Sequence, residues 1–304
     1  VSGSRNTRRS GRSGGGESPR GEGRLSIVST PIGNLEDLTL RALRTLREAD
    51  AILAENTRRT RGLCLHHGIA TPLRSFHAHT SPAKVGALVE ELREGAHLAL
   101  VSDAGTPLVS DPGTELVRAA AEAGVTIEPI PGPSAPIAAL VASGLAAPGF
   151  AFLGFLPRSG GRRRKAFALA ASLPLALVIF EAPTRLAATL ADLAGALGGS
   201  RRAAVCRELT KAHEEVARGT LDELRARYQG GTRGEITIVV EAPAEAVEPE
   251  RPPIEDEVVR AWLRDEGLST RQAAQRLAEA EGGSRRDAYQ RVLAIAASIS
   301  ARGR

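Results

Sequence analysis

The stretch LALVSDAGTPLVSDPGT, Leu98–Thr114, decides how this chain folds. Leu98 to Val101 is a short apolar run of the kind that forms a buried strand. The character then changes at once, to Ser102-Asp103-Ala104-Gly105-Thr106-Pro107, and a second turn cluster follows at Ser110-Asp111-Pro112-Gly113-Thr114. A helical run from Glu115 to Ala123 ends at Gly124. Open α/β sheets bind ligands where a strand ends in small or acidic residues and feeds a helix. Gly105 and Gly113 lack a Cβ, so backbone there can approach a ligand closely. Free N–H groups and the Asp103 carboxylate are then placed to contact a nucleoside-like cofactor. A single loop of this kind also fits an ordinary tight turn, so the question is whether it recurs.

It does recur. LSIVS (25–29) reads as a first strand and breaks into Thr30-Pro31-Ile32-Gly33-Asn34. An amphipathic helix follows through Leu38, Ala42, Leu43 and Leu46, with Asp37 as its expected N-cap. AILA (51–54) ends in Glu55-Asn56-Thr57 ahead of the basic helix Arg58–Arg61, and TIEPI (126–130) ends in Pro131-Gly132-Pro133-Ser134-Ala135. Strands alternating with helices predict a mostly parallel sheet, with these loops gathered along one edge.

The second half repeats the alternation. Strands are expected at FAFLGF (150–155), PLALVIFE (174–181), RAAVCREL (202–209) and EITIVVE (235–241). Arg162-Arg163-Arg164-Lys165 reads as an exposed basic loop leading into a helix. Such a loop is either a plain solvated turn or, beside a cleft, a phosphate-binding cluster. Lys211, His213 and Glu214 follow a strand end directly, as do Glu55 and Glu181. Charged groups so placed are candidates for proton transfer or substrate positioning, or are simply solvated. APAEAVEPERPP (242–253) has a linker's composition. Three short helices follow, with capping boxes opening at Ser269 and Ser284 and apolar faces at Val259/Trp262/Leu263, Leu277 and Tyr289/Val292/Leu293. The organisation expected is therefore a basic tail (1–23), an α/β domain (24–133), a second α/β domain (134–242), a linker (243–253) and a small helical domain (254–304).

Composition narrows the function. The 304 residues are 42% hydrophobic but only 3% aromatic, so the core must be aliphatic. The net charge of +5 is concentrated in the first 24 residues, where six Arg face two Glu. The remainder is almost neutral, and any nucleic-acid contact must be local. Cys64 and Cys206 stand far apart and form no disulfide framework or cysteine zinc site. No apolar run reaches membrane-spanning length, and residues 1–24 lack the apolar segment of a secretion signal, so a cytoplasmic protein is expected. There is no GxGxxG after the first strand, no Walker A motif and no HExxH. His77 and His79 lie two apart on an extended segment, which suits a polar lining better than a metal site, and no metal is expected. His66-His67 sits at a helix end, where a cation suits the dipole.

Taken in order, STPIGNLEDLTLRAL, AENTRRT, VSDAGTPLVSDPG, PGPSA, FEAPTRL and CRELTKAHEE resemble the ribosomal RNA small subunit methyltransferase I proteins of the tetrapyrrole-methylase superfamily. The resemblance covers about residues 25–242, and the C-terminal helices are also similar. It implies two α/β domains with S-adenosylmethionine in the cleft between them, and 2′-O-methylation of a cytidine in 16S ribosomal RNA of the 30S subunit, often by a homodimer. Carried over by motif, Pro31, Asp103, Gly105, Thr106, Ser134 and Ala135 would line the cofactor, with Phe180, Glu181, Ala212 and Thr237 closing over it from the second domain. Lys211, Glu55 or Glu214 would activate the 2′-hydroxyl, and Arg58, Arg162, Arg163, Arg164 and Lys165 would meet the RNA. Two motifs depart from the family pattern: the usual AEDTR reads AENTR, placing Asn56 where an acid is common, and the usual SYHEHN-like segment reads Ser75–Thr80, SFHAHT. The alternatives are a small-molecule methylase of the same superfamily, against which the basic cluster and helical appendage argue, and a non-catalytic RNA-binding module, which would not require so many converging loops.

Overall fold

The computed structural model describes residues 22–145, 149–243, 254–281 and 284–302. The basic tail and the linker expected at 243–253 lie outside the described residues, apart from residues 22, 23 and 243. The chain forms two compact units, Val1–Ala242 and Pro243–Arg304.

The first unit holds two five-stranded sheets. The first is built from β1 (Arg24–Val28), β2 (Ala51–Ala54), β3 (Leu73–Ser75), β4 (His97–Val101) and β5 (Thr126–Ile130), in the order β3-β2-β4-β1-β5. Every pairing is parallel, and Val28 is level with both Val101 and Ile130. The strand ends therefore coincide, and the loops after β1, β2, β4 and β5 open along one edge as expected. Parallel strands bury both faces, which explains the unbroken apolar run of β4. Leu98 and Leu100 pack with α3 (Pro82–Arg93) and α4 (Thr114–Glu122). Ala99 and Val101 face the other way, toward α1 (Leu40–Glu48) and α2 (Thr57–His66). Asp37 is not the cap of α1: it closes a short 3-10 turn, Leu35–Asp37, and Thr39 caps the helix by accepting from Ala42 N–H at 3.1 Å.

The second sheet departs from the parallel expectation. It contains β6 (Phe150–Phe155), β7 (Ala176–Glu181), β8 (Arg202–Arg207), β9 (Glu215–Thr220) and β10 (Ile236–Val240), in the order β6-β7-β10-β8-β9. Only β6 and β7 are parallel; β10 is antiparallel to both neighbours, and β8 and β9 form a hairpin. α6 (Gly160–Ser172), α7 (Leu186–Leu197) and α8 (Leu221–Arg227) cover one face. α5 (Ala135–Ser143) covers the other, where Ala139 packs with Val178, Ala204, Cys206 and Val239. Arg162–Lys165 is not a loop: it forms the opening turns of α6.

The C-terminal unit contains α9 (Asp256–Arg264), α10 (Thr270–Glu281) and α11 (Arg285–Arg302) around Val259, Trp262, Leu277, Val292 and Ile295. Ser269 and Gln272 form the expected capping box, with Ser269 N–H donating to Gln272 Oε1 at 3.0 Å and Gln272 N–H to Ser269 Oγ at 3.3 Å. The buried face of α11 is Ala288/Val292/Ile295, whereas Tyr289 and Leu293 are exposed. An i, i+3, i+4 pattern reads almost equally well one position to either side, and here Ala288, not Tyr289, joins the cluster that holds Trp262.

Candidate active site

The loops after β1 and β4 are tied together. Thr30 N–H donates to Gly105 O at 2.8 Å, and Gly105 N–H donates to Thr30 O at 3.0 Å. The Gly105 N–H is thus committed rather than free for a ligand. Gly105 has φ +79, a conformation that side-chain-bearing residues rarely adopt. Hydroxyls fix the rest of the loop: Thr30 Oγ1 donates to Ser102 O at 3.2 Å, and Ser102 Oγ to Gly105 O at 3.1 Å. Ser29 and Thr106 share a hydrogen bond at 3.0 Å, and Thr106 Oγ1 donates to Pro133 O at 3.2 Å. The loops after three strands are locked into one floor.

The second sheet presses against this floor. Ile32 is buried among Ala139, Cys206 and Leu209. A Cβ on Gly33 would stand 2.5 Å from Lys211 Cγ and 2.9 Å from Leu209 O, so only glycine permits the approach. Asn34 N–H donates to Thr210 Oγ1 at 3.1 Å.

Between the sheets lies a cavity of about 420 Å³. Asp103, Gly105, Thr106, Ser134, Ala135, Phe180, Glu181 and Thr237 line it, as do Arg59, Asp111, Phe155 and Glu235. Pro31 lines a second cavity of about 280 Å³ instead, and Ala212 is exposed and lines neither. Among the described residues, the non-glycine residues with positive φ are Leu108, Ser110, Glu208 and Thr210, all in the two loops flanking the large cavity. Such strain persists only where surroundings enforce it, and it clusters at functional sites.

Several charged groups have roles that their positions in the sequence do not reveal. Glu181 is buried and satisfied: it accepts from Ala182 N–H at 2.8 Å and Thr189 Oγ1 at 2.5 Å and pairs with Arg185 at 3.2 Å. Lys211 Nζ lies 2.9 Å from Glu208 and 3.0 Å from Glu235. Burial works to lower its pKa, but the two carboxylates outweigh it and hold the ammonium above its ordinary value. A protonated amine is a poor proton acceptor, so a part for Lys211 as base would first require release of these partners. Glu214 accepts from Thr210 N–H at 2.5 Å, bracing a strained residue. Glu55 is exposed and follows β2 directly. Asp111 escaped the sequence reading. Burial, then the charges of Glu55 and Asp103, push its carboxyl up to about 6.

Asn56 caps α2, its Oδ1 accepting from Arg58 and Arg59 N–H at 3.2 Å each. Asp and Asn serve equally there, so the departure from AEDTR leaves the helix start intact. Asn56 N–H also donates to Asp103 Oδ1 at 3.1 Å. Phe76, the second departure, is a core residue. Of the adjacent arginines, Arg59 lines both cavities, whereas Arg58 is exposed and lines neither. In α6, Arg162, Arg164 and Lys165 are exposed. Arg163 is committed: it pairs with Asp192 at 2.6 Å, donates to Pro157 O at 2.9 Å and stacks 4.9 Å from the Phe167 ring centre. Among the described residues no His, Cys, Asp and Glu cluster could hold a metal ion.

The model of the tetrapyrrole (corrin/porphyrin) methylases matches residues 24–225. A ribosomal RNA small subunit methyltransferase I from Halalkalibacterium halodurans is 46% identical over 230 residues, covering 75% of this chain and 79% of that protein. Its namesake from Synechocystis is 44% identical over 279 residues, covering 90% and 99%. Among solved structures, uroporphyrin-III C-methyltransferase from Thermus thermophilus, complexed with S-adenosylhomocysteine, superposes with a TM-score of 0.53 at 22% identity over 71% of this chain and 97% of that one. At that identity the likeness concerns the fold.

Proposed function

Because this chain belongs to the tetrapyrrole (corrin/porphyrin) methylase family, and within it to the ribosomal RNA small subunit methyltransferase I proteins, we propose that it transfers a methyl group from S-adenosylmethionine to the 2′-hydroxyl of a cytidine in 16S ribosomal RNA. One observation carries this reading. Motif loops far apart in the chain, SDAGTP, PGPSA and FEAPT, together with Thr237, line a single cavity between the two sheets.

The lining suits the cofactor. Ile32, Val109, Ala135 and Phe180 offer apolar surface for an adenine ring, and Asp103, Asp111 and Glu235 supply negative charge for a sulfonium and an ammonium. The N-terminus of α5, at Ser134–Pro136, opens into the same cavity. Unpaired N–H groups there suit a carboxylate. S-adenosylmethionine supplies, when bound, a methyl group already activated for transfer.

The chain's own task is then to hold the ribose hydroxyl in line, exclude water and accept a proton. Lys211 pairs with Glu208 and Glu235, and Glu214 accepts from Thr210 N–H, so both brace the loop after β8. Glu55 keeps the proposed part of proton acceptor, and its charge is felt at Asp111 inside the cavity. Arg162, Arg164 and Lys165 are the proposed phosphate contacts. Among the described residues no helix is long and apolar enough to cross a membrane. A cytoplasmic homodimer is the arrangement that the family resemblance leads us to propose.

The test is methyl transfer from labelled S-adenosylmethionine to 30S subunits, to free 16S RNA or to a tetrapyrrole. Label in RNA supports the reading. Label in the tetrapyrrole alone, or in none of the three, contradicts it.

A further inference from the structure

We propose that the second cavity, of about 280 Å³, is the seat of the target nucleoside, and that Arg59 and Gly62 of α2 are substrate-positioning residues. The proposal rests on the methyltransferase reading and adds the place where the acceptor binds. A transfer between two substrates needs two sites that meet. The two cavities meet at Asp103 and Arg59, which line both. Asp103 is held at this junction by the N–H of Asn56. No carboxylate among the described residues lies at ion-pair distance from the Arg59 guanidinium, so its charge is available.

The lining of the second cavity has a nucleoside's chemistry. Pro31, Leu35 and Leu63 give apolar walls for the faces of a base, while Thr30, Ser102 and Asp103 supply polar groups. A ribose is unreactive toward a buried methyl donor unless its nucleotide leaves the stack, and enzymes that act on single nucleotides take them into such a recess.

Gly62 is an independent sign. It lies inside α2, lines the second cavity and is exposed, and a Cβ built there meets nothing within 4 Å. Glycine inside a helix weakens it relative to alanine. Neither backbone geometry nor neighbouring protein atoms demand glycine at this position, so packing does not explain it. Clear space for a ligand does.

The experiment uses full-length protein, 30S subunits and labelled S-adenosylmethionine. Gly62→Ala should raise the melting temperature. Gly62→Trp should leave S-adenosylmethionine affinity at the wild-type value while lowering single-turnover transfer by at least about ten-fold, because a small misplacement of reacting groups is costly. Gly62→Leu, smaller and well suited to a helix, should give the same pattern and serves if the Trp variant does not fold. Arg59→Ala should also lower transfer, but because Arg59 lines the cofactor cavity as well, the Gly62 variants decide the assignment. Wild-type transfer rates in Gly62→Leu and Gly62→Trp overturn the proposal, as does a parallel loss of S-adenosylmethionine affinity, which would assign the cavity to the cofactor. If the wild-type protein itself labels no RNA, the failure belongs to the methyltransferase reading and not to the placement of the nucleoside.

Discussion

Thr30 and Gly105 exchange backbone hydrogen bonds in both directions, at 2.8 and 3.0 Å, although they leave different strands of the first sheet. The bridge is antiparallel, separate from the parallel β1–β4 pairing, and fixes the SDAGTP loop against TPIGN. Gly105→Ala should disturb this by backbone strain and not by collision. The added Cβ clears Ile32 Cγ2 at 3.4 Å, but φ is +79. A left-handed conformation costs an L-residue about 1–2 kcal/mol. We expect a melting-temperature drop of that origin together with weaker S-adenosylmethionine binding, measured by calorimetry. Unchanged cofactor affinity would remove the loop from the cofactor site.

Lys211 and Glu55 should separate by pH profile. Lys211→Ala leaves Glu208 and Glu235 facing each other and should cost about 1 kcal/mol, the scale of a partly exposed ion-pair network. The hydrogen bond from Glu235 N–H, then Lys211, holds the Glu208 carboxyl below its usual value. That stabilisation is present above the ordinary Glu range and is lost as pH falls through the depressed value. Lys211→Ala should therefore flatten the acid limb of the stability curve while leaving the pH dependence of transfer unchanged. Glu55→Gln should alter the pH dependence of transfer. A pH–rate profile moved by Lys211→Ala and not by Glu55→Gln would reverse the assignment.

Arg163 and its neighbours should behave oppositely. Arg163→Ala removes the pairing with Asp192, the bond to Pro157 O and the stack on Phe167, and should destabilise the fold by about 1–2 kcal/mol. Replacing Arg162, Arg164 and Lys165 by Ala should leave the melting temperature unchanged. It should weaken 30S binding and flatten the slope of log K against log salt by roughly two units, at about 0.7 per single-strand phosphate contact. Unchanged affinity and salt slope in this triple variant would place the RNA elsewhere.

Asp111 carries a pH signature of its own. Its carboxyl is raised to about 6 by burial and by Glu55 and Asp103. Between the unfolded value and about 6 the native state binds more protons, so this group's contribution to stability falls as pH rises through that window. Asp111→Asn should remove that dependence and raise the melting temperature at pH 7 relative to pH 4. A stability profile identical to wild type would mean that the carboxyl is not desolvated.

The sequence made the first sheet legible because parallel strands are buried on both faces and read as unbroken apolar runs, as in AILA and LALV. The direction of β10 was not legible, since EITIVVE is equally apolar in either sense. The edge strand β9 was missed because EVARGT pairs on one side only and buries Ala217 while leaving Arg218 exposed. At the site, motif order located the cavity-lining loops. It could not choose between Arg58 and Arg59, which lie on different faces of α2. Nor could it show that Glu181 is consumed by Thr189 and Arg185, or that Asp111 is raised by burial and by the charges of Glu55 and Asp103, because those surroundings exist only once the strands and helices are assembled.

The product expected of this protein is a methyl group on a ribose oxygen. The direct measurement is mass spectrometry of nucleosides from 30S subunits and from free 16S RNA after incubation with the protein and S-adenosylmethionine carrying a deuterated methyl group. One deuterated methyl per RNA molecule is expected, on the ribose of cytidine, abolished when the cofactor is omitted. Label on a nucleobase, or no label in either RNA from a protein that binds S-adenosylmethionine, would contradict it.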